Sequence, residues 1–116
     1  DRTTAAEATR TLMALPQPPD AIFVGNDHMA FAVLDTLRAL GVRVPQDVAV
    51  VGYDDVPMAA WAPYDLTSVR QPVNRMVEAT VDTLLAQIDD PDRPHQKIEI
   101  DGPLIERGST RVRPMG

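Results

Sequence analysis

The sequence predicts an α/β domain built on a parallel sheet. Two apolar runs of strand length, AIFVG (21–25) and VAVVG (48–52), flank a helical pattern at 27–40. That order of strand, helix and strand demands a crossover between parallel strands. The composition agrees: 116 residues, 44% hydrophobic and 24% charged, suit one folded domain.

The elements follow in chain order. Residues 3–15 carry Ala5, Ala8, Leu12 and Leu15 at helical spacing. Thr3 or Thr4 is the expected N-cap, with Glu7 at capping-box distance from Thr4. Pro16, Pro18 and Pro19 end this helix. Residues 21–25 form a continuous apolar run, expected as a buried strand. The helix at 27–40 has the core stripe Met29, Ala30, Val33, Leu34, Leu37 and Leu40, and Gly41 stands where a C-cap belongs. Residues 48–52 are a second buried strand. Residues 53–66 hold Asp54, Asp55, two prolines and Trp61 without periodicity, which predicts a functional loop with one helical turn. LTSVR (66–70) reads as a strand. Residues 73–89 carry the strongest helical stripe: Val73, Met76, Val77, Thr80, Val81, Leu84, Leu85 and Ile88. DDPDRP (89–94) is a solvated turn. KIEI (97–100) and LIER (104–107) alternate as strands around Asp101–Gly102–Pro103. The tail RVRPMG is expected to fray.

Several function classes fall away. No apolar run approaches the roughly 18 residues of a spanning helix, so no membrane partner is read. Cysteine is absent, which removes disulfides and thiolate metal sites. The net charge is −6 and Lys97 is the sole lysine, a poor basis for holding nucleic acid phosphates. His28 and His95 lack metal-ligand spacing, and no phosphate-cradling glycine loop or nucleophile elbow occurs. No cofactor and no metal are expected, and no targeting segment is read at the start of the chain.

The candidate chemistry lies at the strand ends. In an open parallel sheet, ligands bind beyond the carboxyl ends of the strands. One strand leads into Gly25–Asn26–Asp27, the other into Gly52–Tyr53–Asp54–Asp55. An amide donates and accepts at once, and a carboxylate accepts from neighbouring hydroxyls. Such a rim suits a polyhydroxylated or nitrogen-rich small molecule. The plainer reading is structural: Asp27 or Asn26 caps the helix, with Asp27 preferred, and Asp54 and Asp55 form a turn. Asp55 leans to the turn role. Phe31 falls about 60° outside the helical core arc. Together with Asp35 and Arg38 it forms a mixed outer face, half-covered by a loop or placed for a partner. Trp61 reads as a core or interface anchor more than as a stacking platform.

Residues 26–57, NDHMAFAVLDTLRALGVRVPQDVAVVGYDDVP, resemble the signature of the lactose/galactose-repressor (LacI/GalR) family of bacterial transcription regulators. LTSVRQP (66–72) is similar to that family's LTTVRQP, and LIERGST (104–110) to its L-[VI]-x-R-x-ST. Ala32, Asp35 and Ser68 depart from the usual Gly, Arg and Thr. The resemblance implies a partial three-layer, parallel-sheet, periplasmic-binding-protein-like fold from the family's C-terminal third. Residues 1–70 and 103–110 would form the C-terminal lobe, and 73–101 would cross into the N-terminal lobe. Asn26 and Asp54 match positions that hydrogen-bond the effector, and Gln71 and Val73 match the inner edge of the cleft. Phe31, Asp35 and Arg38, with Trp61, Ala62 and Pro63, match the homodimer interface. The implied function is sensing of a small-molecule effector, a sugar first, in a cytoplasmic, non-enzymatic regulator. Operator DNA would be met only through a helix-turn-helix that this chain lacks.

Two other readings stand beside it. One is a fragment of a transporter-associated periplasmic sugar-binding protein. The other is a Mg²⁺-dependent enzyme or phosphoacceptor using Asp54 and Asp55. The stripe on helix 73–89 also needs a cover. The short, proline-stiffened link Gln71–Pro72 favours exchange or packing with a second copy over folding back onto residues 1–70.

Overall fold

A computed structural model describes residues 1–110. The expected frayed tail, 111–116, lies outside the described residues. The chain divides into two units, one comprising Asp1–Arg70 with the segment from Leu104 on, the other Gln71–Pro103.

The first unit opens with α1 (Arg2–Met13), capped by the Asp1 side chain, which accepts from the Thr4 N–H at 2.8 Å. The cap is therefore Asp1 and not Thr3 or Thr4, because the helix begins one residue earlier than the apolar spacing suggests. Its buried positions are Ala5 and Thr9, with Met13 packed against the core. The predicted face of Ala8, Leu12 and Leu15 is exposed instead. Thr9 can join the core because its hydroxyl is satisfied inside the helix, donating to the Ala5 carbonyl at 2.7 Å.

Four strands follow in the order β1 (Ala21–Phe23), β2 (Ala49–Asp54), β3 (Thr67–Arg70) and β4 (Leu104–Ile105). The pairs β1–β2 and β2–β3 are parallel and β3–β4 is antiparallel. Strand β1 is an edge strand of three residues, and Phe23 is 66% exposed, so the predicted fully buried strand is only half so. Val24, Val48, Val50 and Leu66 enter the core, whereas Phe23, Tyr53 and Leu104 stand in solvent. No helix of this unit covers those three residues.

Helix α2 (Asp27–Ala39) fills the crossover between β1 and β2 and packs on both β2 and α1. It ends in a Schellman motif: Gly41 adopts φ +74°, its N–H reaches Arg38 O, and the Val42 N–H reaches Leu37 O. A short 3₁₀ turn, Pro57–Ala60, sits in the loop after β2.

Strand β4 is short because the chain leaves the ladder to fasten the sheet with side chains. The Ser109 hydroxyl donates to Val50 O at 2.6 Å and accepts from the Thr67 N–H at 2.8 Å. A Cβ at Gly108 would meet the side chain of the exposed Asp65, which would have to turn aside.

The second unit holds α3 (Val73–Asp89), with the predicted boundaries. No residue of α3 is buried; Leu84 and Leu85 are 57% and 56% exposed. KIEI (97–100) is not a strand. Its residues Ile98 and Ile100 line an apolar depression with Met76, Thr80 and Leu84 of α3. An alternating segment becomes a strand only where a neighbour completes its ladder, and no strand lies among the described residues of this unit.

Candidate functional site

The last paired residues of β1 and β2 are Phe23 and Val51. Asn26 and Asp54 each follow three residues later in the sequence, at the carboxyl ends of neighbouring parallel strands. Both are half-buried.

Asn26 is the N-cap of α2. Its φ of −155° is extended, and its side-chain oxygen accepts from the Met29 N–H at 2.9 Å, while its amide approaches the Met29 sulfur at 3.3 Å. Asp27, the preferred cap in the sequence, is fully buried and looks elsewhere. One carboxylate oxygen accepts from the Ser68 hydroxyl at 2.7 Å, and the other from the Val56 N–H at 2.9 Å. Ser68, also fully buried, in turn accepts from the Asp55 N–H at 3.0 Å. The two strand ends are thus tied together through side chains. Gly52 makes this possible, because a Cβ at residue 52 would collide with the Asp27 carboxylate.

Asp54 and Asp55 both have positive φ, 123° and 56°. For non-glycine residues such backbone is strained and must be held by its surroundings. Asp55 is more than a turn former. Its side chain is 4% exposed and meets Arg107 at 2.7 Å and Arg70 at 2.9 Å. Arg107 also donates to Leu66 O at 2.8 Å. Burial pushes the Asp55 carboxyl up, but the guanidinium groups of Arg107 and then Arg70 outweigh it, leaving the group below its usual value. A carboxylate depressed by folding contributes fully above its unfolded pKa of about 3.9 and loses that contribution as the pH falls through the folded value. Asp55→Asn is therefore expected to lower stability at pH 7 and to flatten the loss of stability below about pH 4. Acid unfolding followed by circular dichroism measures both slopes, and identical slopes would refute the assignment. A divalent cation at Asp54 and Asp55 would have to displace two guanidinium groups, which counts against the Mg²⁺ reading. Among the described residues no cluster of three or more His, Cys, Asp or Glu is arranged to hold a metal ion.

Gln71 and Val73 belong to the second unit, where both line one shallow depression with Met76, Val77, Thr80 and Val81. Gln71 is half-buried and Val73 exposed.

The outer face of α2 needs one correction. Phe31 is 0% exposed. Its ring stacks on Tyr64, with centroids 4.4 Å apart and planes at 30°, and meets His28 edge-on at 5.9 Å. It is a core residue under the loop and presents no surface to a partner. The remaining predicted positions are at the surface. Arg38 donates to Pro63 O at 2.6 Å, and the two line one cavity of about 480 Å³ with Ala62, Leu34 and Val42. The Tyr64 hydroxyl reaches Asp35 at 3.4 Å, and Trp61 is exposed at the start of the same loop.

Sequence reading missed Asp27, Ser68, Arg70 and Arg107 as a linked group. Asp55, read first as a turn former and otherwise as half of an acidic pair, joins them. Two acids at a strand end were visible, but partners 13 to 52 residues away cannot be paired without the sheet order.

Residues 1–110 match the family described as periplasmic binding protein-like domain. The chain is similar to the ribose operon repressor of Escherichia coli (strain K12), 39% identical over 103 residues, covering 89% of this chain and 31% of that protein. It is also similar to a LacI-type transcription regulator from Bifidobacterium animalis subsp. lactis, with TM-score 0.82, 36% identity and coverage of 96% of this chain and 40% of that one. A third likeness is to a LacI family transcriptional regulator from Lactobacillus casei with bound sucrose, at TM-score 0.74 and 34% identity, covering 93% of this chain and 40% of that one. The chain thus spans about a third of the length of the repressor it matches. By its family match, its partly parallel sheet and its LacI-type relatives, it belongs to the periplasmic-binding-protein-like domain family.

Proposed function

We propose that this chain is the effector-sensing and dimer-forming part of a LacI/GalR-type transcription regulator, and that its effector is a small polyhydroxylated metabolite, a sugar first. The observation that carries this reading is the polar rim at the carboxyl ends of the parallel strands β1 and β2, which Asn26 and Asp54 occupy. The similar regulator with bound sucrose supports the ligand class. Gln71 and Val73 are the other proposed effector contacts. Residues 73–101 would belong to a second lobe, where the apolar face of α3 would be covered.

The surface of Asp35, Arg38, Trp61, Ala62 and Pro63 is the proposed two-fold contact. Phe31 would support it from beneath by holding Tyr64. Operator DNA would be reached by a helix-turn-helix elsewhere in the protein, which would act in the cytoplasm and carry out no covalent chemistry. Sensing requires the effector to bind two lobe arrangements unequally.

Calorimetry of the intact protein against a panel that includes D-ribose and sucrose tests the reading. Asp54→Ala is expected to weaken the sugar that binds by about 1.5–3 kcal/mol, the scale of a hydrogen bond to a charged group. Unchanged affinity would refute the role of Asp54.

A further inference from the structure

We propose that Asp27 is a positioning residue for the sugar site, acting with Ser68 as a clamp that fixes the strained turn carrying Asp54. The inference rests on the reading of Asp54 as an effector ligand. Asp27 itself is fully buried and touches no solvent, so it cannot bind the effector.

The clamp grips the two residues that follow Asp54. Asp27 takes the Val56 N–H directly at 2.9 Å. Ser68 takes the Asp55 N–H at 3.0 Å and hands its own proton to Asp27 at 2.7 Å. Two consecutive backbone donors are thereby fixed to one carboxylate, one of them through a single hydroxyl. Both residues just before Val56 have positive φ, a conformation that side-chain-bearing residues keep only when several contacts over-determine it. The chain has also made room for the clamp, since Gly52 leaves open the space that the Asp27 carboxylate enters. On the far side, Arg70 and Arg107 hold the Asp55 carboxylate. The turn is therefore fixed from its backbone side and its side-chain side, and Asp54 stands where these restraints meet. Helix α2 begins at Asp27, immediately after Asn26, so the clamp ties both proposed ligands to one rigid helix start.

A merely structural hydrogen bond would lower stability without selecting the sugar site. Thr36 supplies the comparison: its buried hydroxyl donates to Ala32 O at 2.7 Å, within α2. The test uses the intact protein, with D-ribose and sucrose as probes. Ser68→Ala is expected to weaken binding about tenfold and to speed amide hydrogen exchange in the 53–58 segment, read by mass spectrometry, by about the same factor. Asp27→Ala should do more of both. Ser68→Thr, which keeps the hydroxyl, should restore affinity to within about twofold, and Thr36→Val should lower the melting temperature while leaving affinity within about twofold. If Asp54→Ala abolishes binding but Ser68→Ala changes neither affinity nor exchange, the clamp is wrong and the site reading stands. If Asp54→Ala leaves binding unchanged, or neither probe binds, the site reading loses its support. The exchange measurement then decides the clamp alone, with unaltered exchange at 53–58 in Ser68→Ala overturning it.

Discussion

Phe31→Ala is expected to cost about 3–5 kcal/mol of folding stability, the usual range for deleting a buried aromatic ring. The ring is fully enclosed, stacks on Tyr64 and is met edge-on by His28. Truncation leaves a cavity and also frees Tyr64, whose loop is tied to α2 by the Arg38–Pro63 hydrogen bond. Trp61→Ala, in the same loop but exposed, is expected to change stability by no more than about 0.5 kcal/mol. It should weaken the proposed dimer instead, because aromatic anchors dominate such contacts. Denaturant unfolding measures the first effect and sedimentation the second. A loss below about 1 kcal/mol for Phe31→Ala would contradict the packing. An unchanged dimer in Trp61→Ala would contradict the interface.

The second large effect concerns α3. Its stripe of Val73, Val77, Val81, Leu84, Leu85 and Ile88 is exposed along its whole length. Leaving such side chains wet forgoes about 1.5–3 kcal/mol each, and a domain's whole stability is only about 5–15 kcal/mol. If a second lobe covers the stripe in the intact protein, the double substitution Leu84→Glu with Leu85→Glu places two charges in an apolar contact. It is then expected to cost at least about 4 kcal/mol or to abolish folding of that lobe. Thermal unfolding of the intact protein reads this directly. A change within about 1 kcal/mol would show that the face is open to solvent and that the proposed cover is absent.

The sequence was most legible where a single apolar stripe runs the length of an element and least legible where two faces are covered. Helix α3 was bounded correctly because its apolar spacing is long and uninterrupted. The α/β class followed from two apolar runs around a helix. Phe31 was misplaced because the helical wheel assumes a single covered arc, whereas α2 is covered by β2, by α1 and by the loop at Tyr64. The face of α1 was misread for a related reason: Thr9 is buried with its hydroxyl satisfied internally, so polarity gave the wrong side. KIEI alternates as a strand does, yet no neighbouring strand lies among the described residues of its unit.

At the candidate site, Asn26 and Asp54 could be singled out because glycine and polar residues close each apolar run. The division of labour between Asn26 and Asp27 could not. Both can cap a helix, and the positions of Ser68 on β3 and of the Val56 N–H show that Asp27 is drawn inward. Asp55 looked like a turn residue for the same reason, since Arg107 lies 52 residues away along the chain and beside it in the fold.

The most direct measurement is a crystal structure of the intact protein with a sugar that it binds. The sugar is expected at the carboxyl ends of β1 and β2, with hydroxyls within hydrogen-bond distance of Asn26 and Asp54, and Asp27 buried beneath without touching it. A sugar bound elsewhere, or bound at this rim with Asp54 turned away from it, would refute the proposed site.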